Sequence, residues 1–565
     1  MFSDNTNHNA ISMLARQPRA TQKLGVVVGG SISRGLAVKL DPSVSIEDLA
    51  VGRYVVIRGE RKRFFCMVSD IVLDSTNPGI QNDPPDVTGN EFLRQVYMGT
   101  VAYSLITVTP MLVIDDKEGN LPVKTIPPHF TAVLEATEND VNAVFGAESE
   151  KHFHVGAPLE LEHTQINLDL KRLVERSVGV FGKSGTGKSF LTRLLLAGVV
   201  QKGVGQTLIF DMHNDYGWET GSENGTSVKG LAQLFPEKVS ILSLDEASSM
   251  KRNSRTDFVV QIGYDEIEPE DIAMLKATMN LSDTMIDAAY SLAKLWGANW
   301  IYETIHADAD KVEKACSRTS VLSGTFAGLQ RRLSRFERWH FLVPKSETQT
   351  NEKTANGGTV NSSIRRIIDL IVHQGKSVVL EFGRYGNELE AYMLVANYIT
   401  RRIHREYVDR TEKSIGEGTP KPPNLVITIE EAHKFLEPQV ARQTTFGIIA
   451  REMRKYNVTL LVVDQRPSAI DDEVMSQIGT RVTALLDNER DISAVLNGVS
   501  GAASLREVLA RLETKQQAIV MGHAVPMPVV MKPRTYDTSF YQAMQHQRPN
   551  SDEGRQLLGG KRPRF

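Results

Sequence analysis

Residues Gly182, Lys183, Ser184, Gly185, Thr186, Gly187, Lys188 and Ser189 bring three kinds of chemistry into one short stretch. The glycines let the backbone curl so that successive N–H groups face a bound anion, and a helix starting at Lys188 would add the positive end of its dipole. The Lys188 ammonium suits β- and γ-phosphate oxygens, and the Ser189 hydroxyl suits a Mg²⁺ ion. An apolar run, 178–181, precedes the octapeptide, and Phe190 continues a helix-like pattern after it. The stretch, Phe190 included, is expected to bind ATP. Alone, such a cradle fits a kinase, a GTPase or a motor. The pair Glu430 and Glu431 narrows the choice, because it ends the apolar run LVITI at 425–429. Two adjacent acids at the edge of a buried strand are costly to desolvate unless they meet a cation. One would serve the Mg²⁺ shell and the next would polarise the attacking water, which is ATP hydrolysis.

These residues need a scaffold. At 565 residues the chain exceeds one core. Residues 1–20 are polar and expected to be disordered. From 21 to 150, short β-rich runs (LGVVVG, GLAVKL, RYVVIRG) alternate with turn formers, which predicts a small β-barrel. Strand and helix patterns alternate over 151–265 and 346–535, which predicts an α/β core with a mainly parallel sheet. Its strands are expected at 178–181, 207–211, 239–242, 377–382, 424–430, 458–464 and 481–486. Between 266 and 345 helical patterns stand alone and predict an insertion. Residues 348–363 (TQTNEKTANGGTVNSS) read as a mobile loop, and 536–565 as a polar tail.

Composition sets outer bounds. Hydrophobic residues at 41% and charged ones at 24% are ordinary for a globular protein, and no apolar run is long enough to span a bilayer. The polar start lacks a secretion signal, so a cytoplasmic location is expected. Cys66 and Cys316 are too few for a disulfide framework or a Cys-rich zinc site. The net charge of −3 gives no global attraction to nucleic acid, but a local basic channel would suffice. Arg331, Arg332, Arg335 and Arg338, then Arg401, Arg402 and Arg405, then Lys561, Arg562 and Arg564, are basic clusters that a solvated helix face or tail explains equally well.

Three further segments carry a family resemblance: Ile209 to Gly217 (IFDMHNDYG), the strand ending in Glu430-Glu431-Ala432-His433, and Ala450 to Tyr456 (AREMRKY) followed by Asp464-Gln465-Arg466-Pro467-Ser468. Together with the order barrel, core and insertion, they resemble HerA, a family of hexameric DNA translocases related to FtsK. The resemblance implies a RecA-like core, with Lys188 and Ser189 on phosphate and Mg²⁺, Glu431 as catalytic glutamate and Gln465 as polar sensor. Glu430 stands where the family usually has Asp, and its longer side chain should still reach a metal-bound water. Asp211 could support the metal, or else cap the turn that follows it. A ring motor also needs an arginine from the neighbouring subunit; Arg454 and Arg451 are the candidates, with Arg481 third. The implied partners are five further copies of the chain in a homohexamer, double-stranded DNA, and an effector: a NurA-like nuclease in DNA-end processing, or a nuclease or sirtuin-like NADase in antiphage defence. No membrane partner is expected. The segments 217–230 and 348–363 are candidate DNA-contacting loops, and Trp218 could stack on a base or pack locally. A nucleotide-gated ring that assembles an effector without moving on DNA is the alternative reading.

Overall fold

The computed structural model describes residues 22–97, 101–115, 119–159, 161, 163–221, 227–344, 362–441, 444–499, 502–512 and 517–546. The expected disorder at 1–20, nearly all of the 348–363 loop and the Lys561, Arg562, Arg564 cluster lie outside them.

Alternating apolar residues close the first region into a barrel. Six strands run in the order Gly35–Leu40, Lys23–Ser31, Ala132–Glu135, Tyr54–Arg58, Arg63–Ser75, Ala102–Asp115, and the last pairs back onto the first. Period-2 patterning sends Val38, Val55, Ile57, Phe64, Val68 and Ile106 inward to a core of their own. The opposite faces are not idle. Tyr54, Phe65 and Met67 belong to the large core of the second region, and the Tyr54 hydroxyl accepts the Val530 N–H at 3.0 Å.

The second region is built on one twelve-stranded sheet. A two-residue edge strand, Phe258–Val259, and seven longer strands run parallel: Val239–Ser243, Ser377–Glu381, Gln206–Asp211, Leu425–Glu430, Val458–Asp464, Ser177–Phe181 and Ile478–Thr483. Most are buried along their whole length, as a sheet covered on both faces requires. Beyond Ile478–Thr483 the sheet continues antiparallel through Ala518–Gly522, Val529–Pro533, His152–Ala157 and Ile166–Asp169. Here the C-terminal strands meet the strands that lead into the core.

Five helices, Pro269–Ala273, Asp283–Trp296, Trp300–Ile305, Ala309–Arg318 and Ser323–Leu333, occupy the stretch read as an insertion. A two-residue pairing, Ile262–Gly263 with Leu342–Val343, closes its neck. The insertion is tied to the long helix Leu389–Glu417 by a buried fork: Arg401 donates from Nε and an Nη to the two oxygens of Asp271, at 3.0 and 2.5 Å. Arg405, which is exposed, adds a second tie by donating to both oxygens of Glu268 at 2.8 Å.

One expectation is corrected. Residues 536–546 are not tail: Tyr536 is buried and a helix runs over Thr538–His546, capped by Asp537, which accepts the Ser539 and Phe540 N–H groups. Tyr536, Phe540 and Met544 recur every four residues and are all buried, a helical stripe that polar neighbours hide from a reading by composition.

Candidate active site

The cradle follows the fully buried strand Ser177–Phe181, flanked by Val458–Asp464 and Ile478–Thr483. Phe181 lies in register with Asp464, so the chain leaves the sheet beside the end of that neighbouring strand. The turn needs Gly185 at φ 77° and Gly187 at φ 91°, backbone angles that side chains penalise. Helix Lys188–Lys202 starts with Gly187 at its N-cap, and no side chain caps it. Its first N–H groups are therefore available to an anion. Two groups meet at the Lys183 carbonyl: the Thr186 hydroxyl donates to it at 2.7 Å and the Lys188 ammonium at 2.9 Å. Partial burial holds Lys188 below its usual basicity, against the pull of Glu431, Asp464 and Glu430. The Lys183 side chain pairs with exposed Asp487, away from the turn.

Opposite the cradle stand the acids. Glu430 closes strand Leu425–Glu430 and is buried. Its Oε1 accepts the Tyr216 hydroxyl at 2.9 Å, whereas Oε2 is buried with no hydrogen-bond partner among the described residues. Burial, reinforced by Asp211, pushes its pKa up to about 8. Glu431 adopts φ 47°, left-handed backbone that is rare for a side-chain-bearing residue. Its carboxylate is 30% exposed and accepts the Gln465 amide at 3.3 Å. A cavity of about 990 Å³ joins Ser184 to Phe190 with Glu430, Glu431, Asp464 and Gln465. The same cavity is lined by His213, Thr220 and the C-terminal segment Lys532, Pro533, Thr535, Tyr536 and Asp537.

The structure thus brings together Ser184, Gly185, Thr186, Gly187, Lys188, Ser189, Phe190, Glu430, Glu431 and Gln465 on one cavity, with Gly182 and Lys183 leading into it. The orphaned Glu430 Oε2 and the Ser189 hydroxyl, which has no intrachain partner among the described residues, fit a hard cation beside a phosphate chain.

Asp211 takes the other of its two expected roles. It is fully buried and absent from the cavity wall, and its oxygens accept the N–H groups of Asp215, Tyr216 and Gly217 at 2.7, 2.8 and 3.2 Å. The turn uses the lone pairs a metal would need. Burial moves its pKa up to about 7 despite these bonds. Arg481 is withdrawn as a donor to a neighbour: it is buried, with its guanidinium on the carbonyls of Met475, Val495 and Asn497. Arg451 is half-buried and directed at the Ala441 carbonyl and Glu473 of its own chain. Arg454, on the 3-10 turn Met453–Tyr456, is exposed and without an intrachain side-chain partner among the described residues. Trp218 packs against the core. In the segment 217–230, residues 222–226 lie outside those described.

Sequence reasoning assigned no role to Asp464, His433, Tyr216 or Arg193. Arg193, one helical turn past Ser189, donates to the Asp215 carbonyl and the Thr220 hydroxyl, each at 2.8 Å, and so ties the cradle helix to the turn that Asp211 caps. The signal for all but Arg193 was present in the DMHNDY, EEAH and DQRPS runs; their partners are brought in by sheet order, which no local pattern announces.

Residues 153–403 match the family model described as the central domain of helicase HerA, and residues 24–100 match the HAS barrel domain. Among curated proteins, the DNA double-strand break repair helicase HerA of Pyrococcus furiosus is 24% identical over 425 residues, 71% of this chain and 72% of the relative. The protein of the same name from Saccharolobus solfataricus is 20% identical over 513 residues, 90% of this chain and 91% of the relative. Among solved structures, VirB4 of Thermoanaerobacter pseudethanolicus matches 70% of this chain and 99% of its own, at 13% identity and a TM-score of 0.43. Plasmid coupling protein TrwB in complex with ADP and Mg²⁺ matches 65% of this chain and 87% of its own, at 15% identity and a TM-score of 0.41. With the HerA central-domain model matching the core, the HAS-barrel model matching the barrel, and HerA helicases aligned over as much as nine-tenths of its length, this chain is similar to the HerA helicases and is by class an ATPase.

Proposed function

We propose that the protein is an ATP-driven translocase or helicase acting on double-stranded DNA as a homohexameric ring, coupled to a partner nuclease or defence effector. The observation that carries the catalytic half of this reading is the pairing of Glu430 and Glu431 across one cavity from Lys188 and Ser189. The open N–H groups of helix Lys188–Lys202 and the Lys188 ammonium hold the β- and γ-phosphates. Ser189 and the Oε2 of Glu430 would hold Mg²⁺, which would supply neutralisation of phosphate charge. Glu431, exposed enough to meet water, accepts a proton from the attacking molecule, and the Gln465 amide keeps its carboxylate turned to the cavity. Arg454 of a neighbouring copy stabilises charge on the γ-phosphate; its exposure, with no side-chain partner among the described residues of its own chain, supports this role.

Movement on DNA rests on the match to the HerA central domain and on the break-repair helicase names of the relatives. Contacts to the phosphate backbone without base reading suit such a motor. The partner is inferred from the family resemblance alone, with the barrel as its docking surface. The test is displacement of a streptavidin roadblock from biotinylated duplex DNA in the presence of Mg²⁺ and ATP. Displacement by the wild-type protein, and none by Glu431→Gln, is expected. Turnover without displacement would instead favour a ring that switches an effector.

A further inference from the structure

The reading of Glu431 as the base leaves a question of geometry. A glutamate at φ 47° relaxes to ordinary backbone unless its surroundings over-determine the turn. Asp464 and His433 do so. Asp464 ends the strand beside the cradle strand, and its carboxylate is fully buried. It accepts the backbone N–H of His433 at 2.7 Å, and the ring Nδ1 of the same residue lies 2.9 and 3.2 Å from its two oxygens. A third donor, the Arg466 N–H, reaches it at 2.7 Å. One carboxylate therefore grips both the main chain and the side chain two residues beyond Glu431, and pins the turn from inside the sheet.

The grip also fixes the imidazole. A carboxylate only accepts, so Nδ1 carries the proton and points into the space between the acids. That nitrogen lies 3.6 Å from Glu431 Oε2, while the Gln465 amide holds Oε1 at 3.3 Å. The catalytic carboxylate is thereby flanked on one oxygen by a hydrogen-bond donor and on the other by the positive edge of an imidazole N–H.

Glu431, His433 and Asp464 present ligand atoms within 4.8 Å of one another, which also suggests a metal. Asp464 argues against this, since three N–H donors already occupy its oxygens. Glu430, with a buried oxygen bonded to nothing among the described residues, is the better ligand.

We propose that His433 and Asp464 form a clamp that positions Glu431 for water activation, His433 acting through its Nδ1–H and Asp464 by holding both the ring and the strained turn. This rests on Glu431 being the group that takes the proton from water. Both are positioning residues, acting through Glu431.

The test compares His433→Ala, His433→Gln and His433→Asn in the full-length protein, measuring kcat, the KM for ATP and the Mg²⁺ concentration for half-maximal rate. An asparagine amide places its N–H near the position of Nδ1; a glutamine amide places it near Nε2. Expected are losses in kcat of roughly tenfold or more for Ala and Gln, with Asn within about threefold of wild type and with both the KM and the Mg²⁺ requirement unchanged. Asp464→Asn, assayed in the same way, should lower kcat alone. Wild-type kcat in His433→Ala would overturn the clamp, as would equal losses in Asn and Ala. A raised Mg²⁺ requirement rescued by excess Mg²⁺ would make the trio a metal site and overturn it as well. Glu431→Gln is assayed alongside: full turnover there would count against the catalytic reading itself, whereas an inactive Glu431→Gln with a fully active His433→Ala would count only against the clamp.

Discussion

Glu430 carries one oxygen bonded to Tyr216 and one bonded to nothing among the described residues, inside a fully buried strand end. Such a carboxyl keeps its proton until a cation arrives. Its pKa in the fold is about 8, against 4.5 for an ordinary glutamate. As pH rises between these values the unfolded chain releases a proton that the fold retains, so this group costs stability progressively across that window and fully above it. Glu430→Gln removes the titration. Without Mg²⁺ or nucleotide, its melting temperature relative to wild type should therefore rise from about pH 5 to about pH 8.5; a difference that stays flat with pH would contradict the burial assigned to Glu430. Lys188→Ala should act elsewhere, weakening binding of a fluorescent ATP analogue by an order of magnitude or more, because it removes the cavity-lining ammonium at the start of the cradle helix. Residue identities at this scale were largely legible from spacing: cradle, acids and Gln465 share one cavity. Asp211 was the exception, because the turn that consumes its oxygens becomes visible only once the backbone N–H groups of Asp215, Tyr216 and Gly217 are placed.

Elements explain why the remaining residues could not be read from the sequence. The seven longer parallel strands announced themselves as apolar runs, because strands buried on both faces have little else to show. Their order did not, and order is what sets Asp464 beside Phe181 and Tyr216 under Glu430. The C-terminal helix Thr538–His546 was concealed by polar composition, although Phe540 and Met544 bury its inner face and Tyr536, just ahead of it, both lines the cavity and meets Phe190 edge-on at 6.1 Å. Truncation before Tyr536 should therefore weaken nucleotide binding as well as lower the melting temperature, and unchanged binding of the fluorescent analogue would separate this segment from the site. The insertion hangs on Asp271 and Arg401. Asp271→Ala leaves a buried guanidinium without its principal partner, and should cost about 3 kcal/mol in denaturant unfolding.

At the scale of the whole molecule, Arg454 stands exposed on its own chain without a side-chain partner among the described residues. A site divided between copies predicts complementation. Arg454→Ala should assemble but turn over ATP slowly, and rings mixed with Lys188→Ala should regain part of the activity, because some interfaces then pair an intact cradle with an intact arginine. Mixed rings no more active than either variant alone would place the arginine in cis. Among the described residues no helix is long and apolar enough to cross a membrane. The barrel is packed on the core through its outer residues Tyr54, Phe65 and Met67.

The most direct test of the central claim, that this cavity hydrolyses ATP in service of duplex DNA, is steady-state phosphate release by wild type and Glu431→Gln with and without linear duplex DNA. Duplex should raise the wild-type rate several-fold, while Glu431→Gln binds ATP but stays near background under both conditions. A wild-type rate indifferent to DNA, or a Glu431→Gln variant that turns over like wild type, would contradict it.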